Sequence, residues 1–272
     1  MKKTLLFYFY FPNDYFDRAY VYMHLYYLKK YSILFDKVII LLSFDDMNPI
    51  IINSVKHKII ETIRCNDLEF KILQNDKELR EVTFFKEHFI DELDKFEGLV
   101  FFGHSKGGGS EMTGQISNWI NLMYYYNLEF IDEIVDKLSN DDESIFYGTF
   151  EFSQLTDFNG TIKETVFSWY AGSYFWMNTD KIKMYLKENN IDLTNYFKDR
   201  FSVEKFPGEI FGGDKMRSLY DVKIDDNAYI YPEISYIGDY GFIYEILGHP
   251  EGAINSYDIM MHNVNNNIDT KM

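Results

Sequence analysis

Four short apolar segments, each separated from the next by a stretch of helical periodicity, constrain this chain more than any other feature. They are residues 4–11, 37–44, 68–74 and 98–103. The second reads Lys-Val-Ile-Ile-Leu-Leu-Ser-Phe, without the polar alternation of a strand that faces water. Such a continuous run belongs to a strand covered on both faces, as in a parallel sheet. Between the runs, residues 15–33 carry Tyr15, Ala19, Tyr22, Met23, Tyr26 and Tyr27 at helical spacing, and 49–64 and 82–95 also read as helices. The resulting β-α-β-α-β-α-β order predicts a doubly wound α/β sheet, in which ligands bind outside the carboxyl ends of the strands. Residues 11–13, 43–46, 74–76 and 104–106 fall at that edge.

The second half reads differently. One long helix is expected over 114–138, short strands over 145–151 and 172–178, helices over 179–189, 193–200 and 208–219, and a last strand over 228–236. No Pro-, Gly- or Ser-rich linker and no repeat divides the chain. The expectation is a single domain over 1–262, with a nucleotide-binding half (1–110), a half that completes a cleft (111–262) and a polar tail (263–272).

Charge and cysteine content narrow the partners. The formal net charge is −16 and the sequence pI about 4.8. A surface this acidic argues against broad nucleic-acid binding, which needs clustered Lys and Arg, and weakens the case for a basic patch on anionic membranes. Cys65 is the single cysteine, so no disulfide forms within the chain, which suits a reducing compartment. The N-terminus superficially resembles a signal peptide. Its apolar part is short and Tyr-rich, and Asp14, Asp17 and Arg18 follow at once, so it reads as a first core strand. No stretch approaches the about 20 apolar residues that span a bilayer. A soluble, cytoplasmic protein with no transmembrane segment is expected.

Chemistry concentrates at residues 99–109, Leu-Val-Phe-Phe-Gly-His-Ser-Lys-Gly-Gly-Gly, where the fourth apolar run ends. Two readings are open. Gly103-His104-Ser105-Lys106-Gly107 fits the G-x-S-x-G elbow of a serine hydrolase, with His249 as base and Asp214 or Asp239 to orient it. Against it, Gly107, Gly108 and Gly109 delay the helix that should follow the nucleophile, and no upstream His-Gly-Gly segment offers an oxyanion hole. In the other reading the loop cradles a diphosphate. Lys106 neutralises charge, His104 donates a hydrogen bond and the glycine amides form an anion nest. A third class is a non-catalytic module that binds glycan or nucleotide.

Several marks together resemble a known family. His104-Ser105-Lys106-Gly107, then Trp119 and Met123-Tyr124-Tyr125, is similar to the His-Thr-Lys-Gly, Trp and Met/Tyr-rich helix of a glycosyltransferase family of bacterial polysaccharide clusters and large viruses. Tyr170 to Asn178 resembles its Ser-Gly-Asn-Phe-Trp-Trp strand, with Ala171 for Ser and Ser173 for Asn. Met23-His24-Leu25-Tyr26 through Val38, Arg80-Glu81-Val82-Thr83 and Phe206-Pro207-Gly208-Glu209 are weaker marks. The resemblance covers roughly residues 4–215 and implies a GT-A-like, Rossmann-like fold with a mixed, mostly parallel sheet. It implies a UDP- or GDP-sugar donor and a glycan acceptor. His104, Ser105, Lys106, Gly107 and Glu81 would hold the donor, Trp169, Gly172, Ser173 and Trp176 the sugar or acceptor, and Glu209 would be the catalytic base of an inverting transfer. Asp45 and Asp46 end the second strand and are candidates for the base or ribose. Metal ligands stay unassigned, and Mn2+ or Mg2+ dependence stays open. His24, His57 and His88 fall on expected helices and read as structural.

Overall fold

Alternate residues of the first strand are buried in opposite directions. In β1 (Lys3–Phe11), Leu5, Phe7, Phe9 and Phe11 join one apolar cluster, and Leu6 and Tyr8 join another, as the two-residue period of a strand requires. β2 (Lys37–Phe44), β3 (Leu68–Gln74) and β4 (Leu99–His104) extend the sheet. β2 and β4 divide their side chains as β1 does, with Val38, Ile40, Leu42, Leu99 and Phe101 on one side and Ile39, Leu41, Val100 and Phe102 on the other. Two buried faces explain the continuous apolar runs. The structure is a computed structural model, and it describes residues 1–12, 19–105, 120–156, 162–170 and 172–223.

Helices cover both faces. α1 (Ala19–Tyr31) and α2 (Pro49–Thr62) set Val21, Leu25, Leu28, Val55 and Ile59 into the first cluster. The second cluster takes Phe84 and Phe85 from α3 (Glu81–Phe85). On the first side the chain continues through α4 (Ile131–Asn140). The strands β5 (Phe146–Thr156), β6 (Ile162–Tyr170) and β7 (Phe175–Asn178) follow, then α5 (Thr179–Glu188), α6 (Ser202–Phe206) and β8 (Met216–Lys223). Asn48 caps α2 by accepting the Ile50 N–H at 3.0 Å, and Pro49 occupies the first turn, where no N–H is needed.

The eight-stranded sheet runs β3-β2-β1-β4-β7-β5-β6, with β8 beside β5. β1 pairs parallel with β2 and β4, β2 with β3, and β5 with β8. β7 is antiparallel between β4 and β5, and β6 is antiparallel to β5. This is the mixed, mostly parallel α/β sheet expected from the sequence. The edge strand β3 is guarded by charge: Glu69 meets Lys37 at 2.7 Å and Lys71 at 2.8 Å. The two lysines hold the Glu69 carboxyl below its ordinary range.

Several element expectations are corrected. The helix expected over 82–95 is α3 followed by a π-turn (Lys86–Ile90) and a 3-10 turn (Leu93–Lys95). The widened turn accompanies Phe89 packing on both Phe85 and Phe96. The single helix expected over 114–138 is interrupted, because residues 120–124 run into a π-turn (Tyr125–Glu129) and Phe130 leaves helical geometry before α4. Inside that turn the Asn127 carbonyl accepts the Trp176 indole N–H at 2.8 Å, a bond a regular helix would not spare. Residues 193–200 form turns rather than a helix. Residues 208–219 form a π-turn (Pro207–Phe211), a 3-10 turn (Gly213–Lys215) and the start of β8, where pairing with β5 outweighs local helical spacing. The strand expected from 172 begins only at Phe175. β6 was not expected, and the strand expected over 228–236 lies outside the described residues.

Candidate functional site

The parallel register sets polar residues side by side at the carboxyl ends of the first four strands. Tyr8 of β1 lies level with His104 of β4, and Tyr10 with Ser43 of β2. These positions share the sheet face that α3 covers. Asp45, one residue past β2, accepts the Tyr10 hydroxyl and the Asn75 amide, each at 2.8 Å. Asn75 is itself held by its backbone N–H, which donates to the Phe44 carbonyl at 2.8 Å. Burial pushes the Tyr8 phenol up; a hydrogen bond with Ser43 opposes the shift and the Glu81 carboxylate adds to it.

Glu81 and His104 meet. Glu81 Oε1 lies 3.6 Å from His104 Nδ1, with the two side chains 14% and 10% exposed. The fold therefore joins two donor-site candidates that lie far apart in sequence. Arg80, just before Glu81, has φ 52°, a region where a side chain is strained and glycine is favoured. It is exposed, and its charge opposes the rise of the Tyr8 phenol. Among the described residues, no three His, Cys, Asp or Glu side chains gather into a metal-holding group.

Ser105 continues alongside β1. Its N–H donates to the Tyr8 carbonyl at 2.8 Å, and its hydroxyl oxygen accepts the Tyr10 N–H at 2.9 Å. Ser105 is also not among the described non-glycine residues with positive φ, and so lacks the backbone strain of a nucleophile elbow. Asp214 is exposed and paired with Lys215. Asp239 and His249 lie outside the described residues, as do Lys106, Gly107, Gly108, Gly109, Trp119 and Ala171.

The turn before β7 reaches the same loop. Gly172 and Ser173 have φ of 81° and 54°, so two successive residues are left-handed, the second at a cost for a side chain. Ser173 is fully buried, and its hydroxyl has no hydrogen-bond partner among the described residues. The Gly172 N–H donates to the carboxylate of Glu204, a buried side chain on α6, at 3.2 Å. Tyr174 donates its hydroxyl to the His104 carbonyl, so this turn is fastened to the end of β4.

The other candidates fare differently. Trp176 is corrected: it is wholly buried, stacks on Phe35 at 5.5 Å and spends its N–H on Asn127, so it presents no face to a sugar. Trp169 is half-buried on β6 and packs on the first cluster. Glu209 is exposed in the π-turn after α6 and accepts the Tyr196 hydroxyl at 2.6 Å. Burial, then Glu209 itself, pushes the Tyr196 phenol up, which keeps it a donor. Asp46 is exposed. His24 is structural as expected, buried with Nδ1 at 2.9 Å from the Tyr124 hydroxyl. Sequence reasoning missed Glu204, one of 43 acidic residues and without a local pattern, and Arg80, whose conformation only the fold reveals.

The fold and this edge define an α/β protein whose mostly parallel sheet gathers polar side chains at its carboxyl end. No family model and no curated protein matches the chain. Among solved structures it is similar to 4-diphosphocytidyl-2C-methyl-D-erythritol synthase from Anaerococcus prevotii DSM 20548, with 10% identity, 88% of this chain and 98% of that chain covered, and a TM-score of 0.39. A second structure of 4-diphosphocytidyl-2C-methyl-D-erythritol synthase gives 11% identity, 87% and 97% coverage, and a TM-score of 0.38. A likeness this distant bears no weight on the chemistry of this chain.

Proposed function

We propose that this protein is a glycosyltransferase that moves a sugar from a nucleoside diphosphate sugar to a hydroxyl of a glycan acceptor. The observation that carries the reading is the convergence of Tyr10, Asp45 and Asn75 with the Glu81–His104 pair at the carboxyl edge of one parallel sheet, the place where doubly wound sheets hold nucleotides. In this reading Asp45 and Asn75 face the nucleoside. His104, Lys106, Arg80 and the amides of Gly107, Gly108 and Gly109 face the diphosphate, whose charge grows as the bond to the sugar breaks. Glu81 orients the His104 ring. Gly172 and Ser173 are as buried as Trp176, so they shape the turn that Tyr174 fastens to the end of β4 and do not touch the sugar. Glu209 takes the acceptor proton, with direct displacement and inversion at the anomeric carbon.

The test is release of UDP or GDP from a panel of nucleotide sugars, with and without Mn2+. Lys106→Ala should weaken donor binding, and Glu209→Gln should lower kcat by about 100-fold or more while leaving donor affinity in place. Donor binding without turnover would make the protein a binding module. Labelling of Ser105 by a fluorophosphonate would overturn the reading in favour of a hydrolase.

A further inference from the structure

The described residues leave nine large apolar side chains exposed, and six of them fall between Tyr22 and Ile60. Tyr22 (52% exposed), Tyr26 (64%) and Ile33 (63%) run along the outer side of α1 and its end. Ile50 (78%) and Ile60 (53%) lie on the outer side of α2. These spacings place each set on one helical face. The inner stripes of both helices enter the same core cluster, so the two outer faces look out on the same side of the sheet. Lys58 Nζ sits 4.4 Å over the Tyr22 ring and joins them.

The charge of this face is opposite to that of the molecule. α1 carries Lys29 and Lys30 and no acid. α2 carries Lys56 and Lys58 against Glu61, and Arg64 follows. Lys30 is engaged by Glu129. The chain as a whole has a net charge of −16, but charges beyond about 8 Å are screened at physiological salt. What a surface meets here is lysine and arginine among tyrosine and isoleucine. That composition suits neither open water nor a two-fold contact with a second copy, which would set lysines against lysines. It matches an anionic lipid interface, where basic side chains reach headgroup phosphates while aromatic and aliphatic groups enter the headgroup layer.

We propose that the outer face of α1 and α2 docks on an anionic lipid surface. Lys29, Lys56, Lys58 and Arg64 meet the phosphates, and Tyr22, Tyr26, Ile50 and Ile60 enter the interface. Ile50 follows closely on the end of β2, so docking brings the rim of the carboxyl edge to the membrane. The inference is independent of the proposed transfer reaction.

Flotation of the full chain with vesicles tests it. The chain should float with vesicles of phosphatidylcholine and phosphatidylglycerol in equal parts, stay behind with phosphatidylcholine alone, and be released by high salt. The double variant Lys29→Glu/Lys56→Glu should lose binding by about tenfold or more. Tyr26→Ser/Ile50→Ser should also lose it. Lys29, Tyr26 and Ile50 are exposed and Lys56 is half-buried over the Phe70 ring, so unchanged circular dichroism of both variants would show that the fold is kept. Absence of flotation, or equal flotation of both variants, would overturn the proposal. So would a lipid-free dimer that Tyr26→Ser/Ile50→Ser dissolves, which would assign the face to a second copy.

Discussion

Arg80 shows how a single residue can reveal what a site spends on its chemistry. With φ 52° and ψ −123° it occupies a corner that suits glycine, yet its charge acts on the Tyr8 phenol at the carboxyl edge of the sheet. Strain of this kind costs about 1–3 kcal/mol and gathers at functional sites. Arg80→Gly should therefore raise stability in urea unfolding by about 1 kcal/mol, after the entropy that glycine adds to the unfolded chain, and should weaken binding of a nucleoside diphosphate by calorimetry. Greater stability with unchanged affinity would remove Arg80 from the site. At the same scale, Trp176 marks where residue type misleads. An aromatic residue in a strand suits a sugar platform and a core equally well, and the neighbours that decide, Phe35, Phe101 and Asn127, come from three separate segments of the chain.

At the scale of elements, what could be read in advance follows from where each element gets its stability. β1, β2 and β4 are legible because their apolar runs demand burial on both faces wherever they lie. β6 and β8 carry no such demand, and they exist through pairing with β5. The two long expected helices break at π-turns where packing asks for something else, at Phe89 and at the carbonyl of Asn127. For the site the division is similar. The end of β4 at His104 was legible from the abrupt change to polar residues and glycine, while the meeting of Glu81 and His104 depends on how α3 is set against the sheet. The turn that leads into α3 is secured by Asp76, whose carboxylate accepts the N–H groups of Glu78 and Leu79, each at 2.9 Å. The Leu79 N–H foremost, with help from Glu78 and Thr83, holds the Asp76 carboxyl below its ordinary range. A lowered carboxyl stabilises the fold at neutral pH and loses that contribution as pH falls through its folded-state value. Asp76→Ala should thus cost about 1 kcal/mol in urea unfolding near neutral pH, and the gap from the parent should narrow in acid. An equal gap at both pH values would mean that the charge on Asp76 plays no part.

At the scale of the whole molecule, net charge and local charge point in different directions, and each governs a different property. The overall −16 argues against broad nucleic-acid binding, while the lysines of α1 and α2 act locally, within a screening length. We propose that the carboxyl edge of the parallel strands is a nucleoside diphosphate site. The most direct test is thermal unfolding with UDP, GDP, CDP and ADP, with and without Mn2+, because a ligand at about 100 times its Kd adds about 2.7 kcal/mol to apparent stability. An upward shift in Tm with UDP or GDP is expected, reduced in Asp45→Ala and His104→Ala. No shift with any nucleotide, together with fluorophosphonate labelling at Ser105, would contradict it.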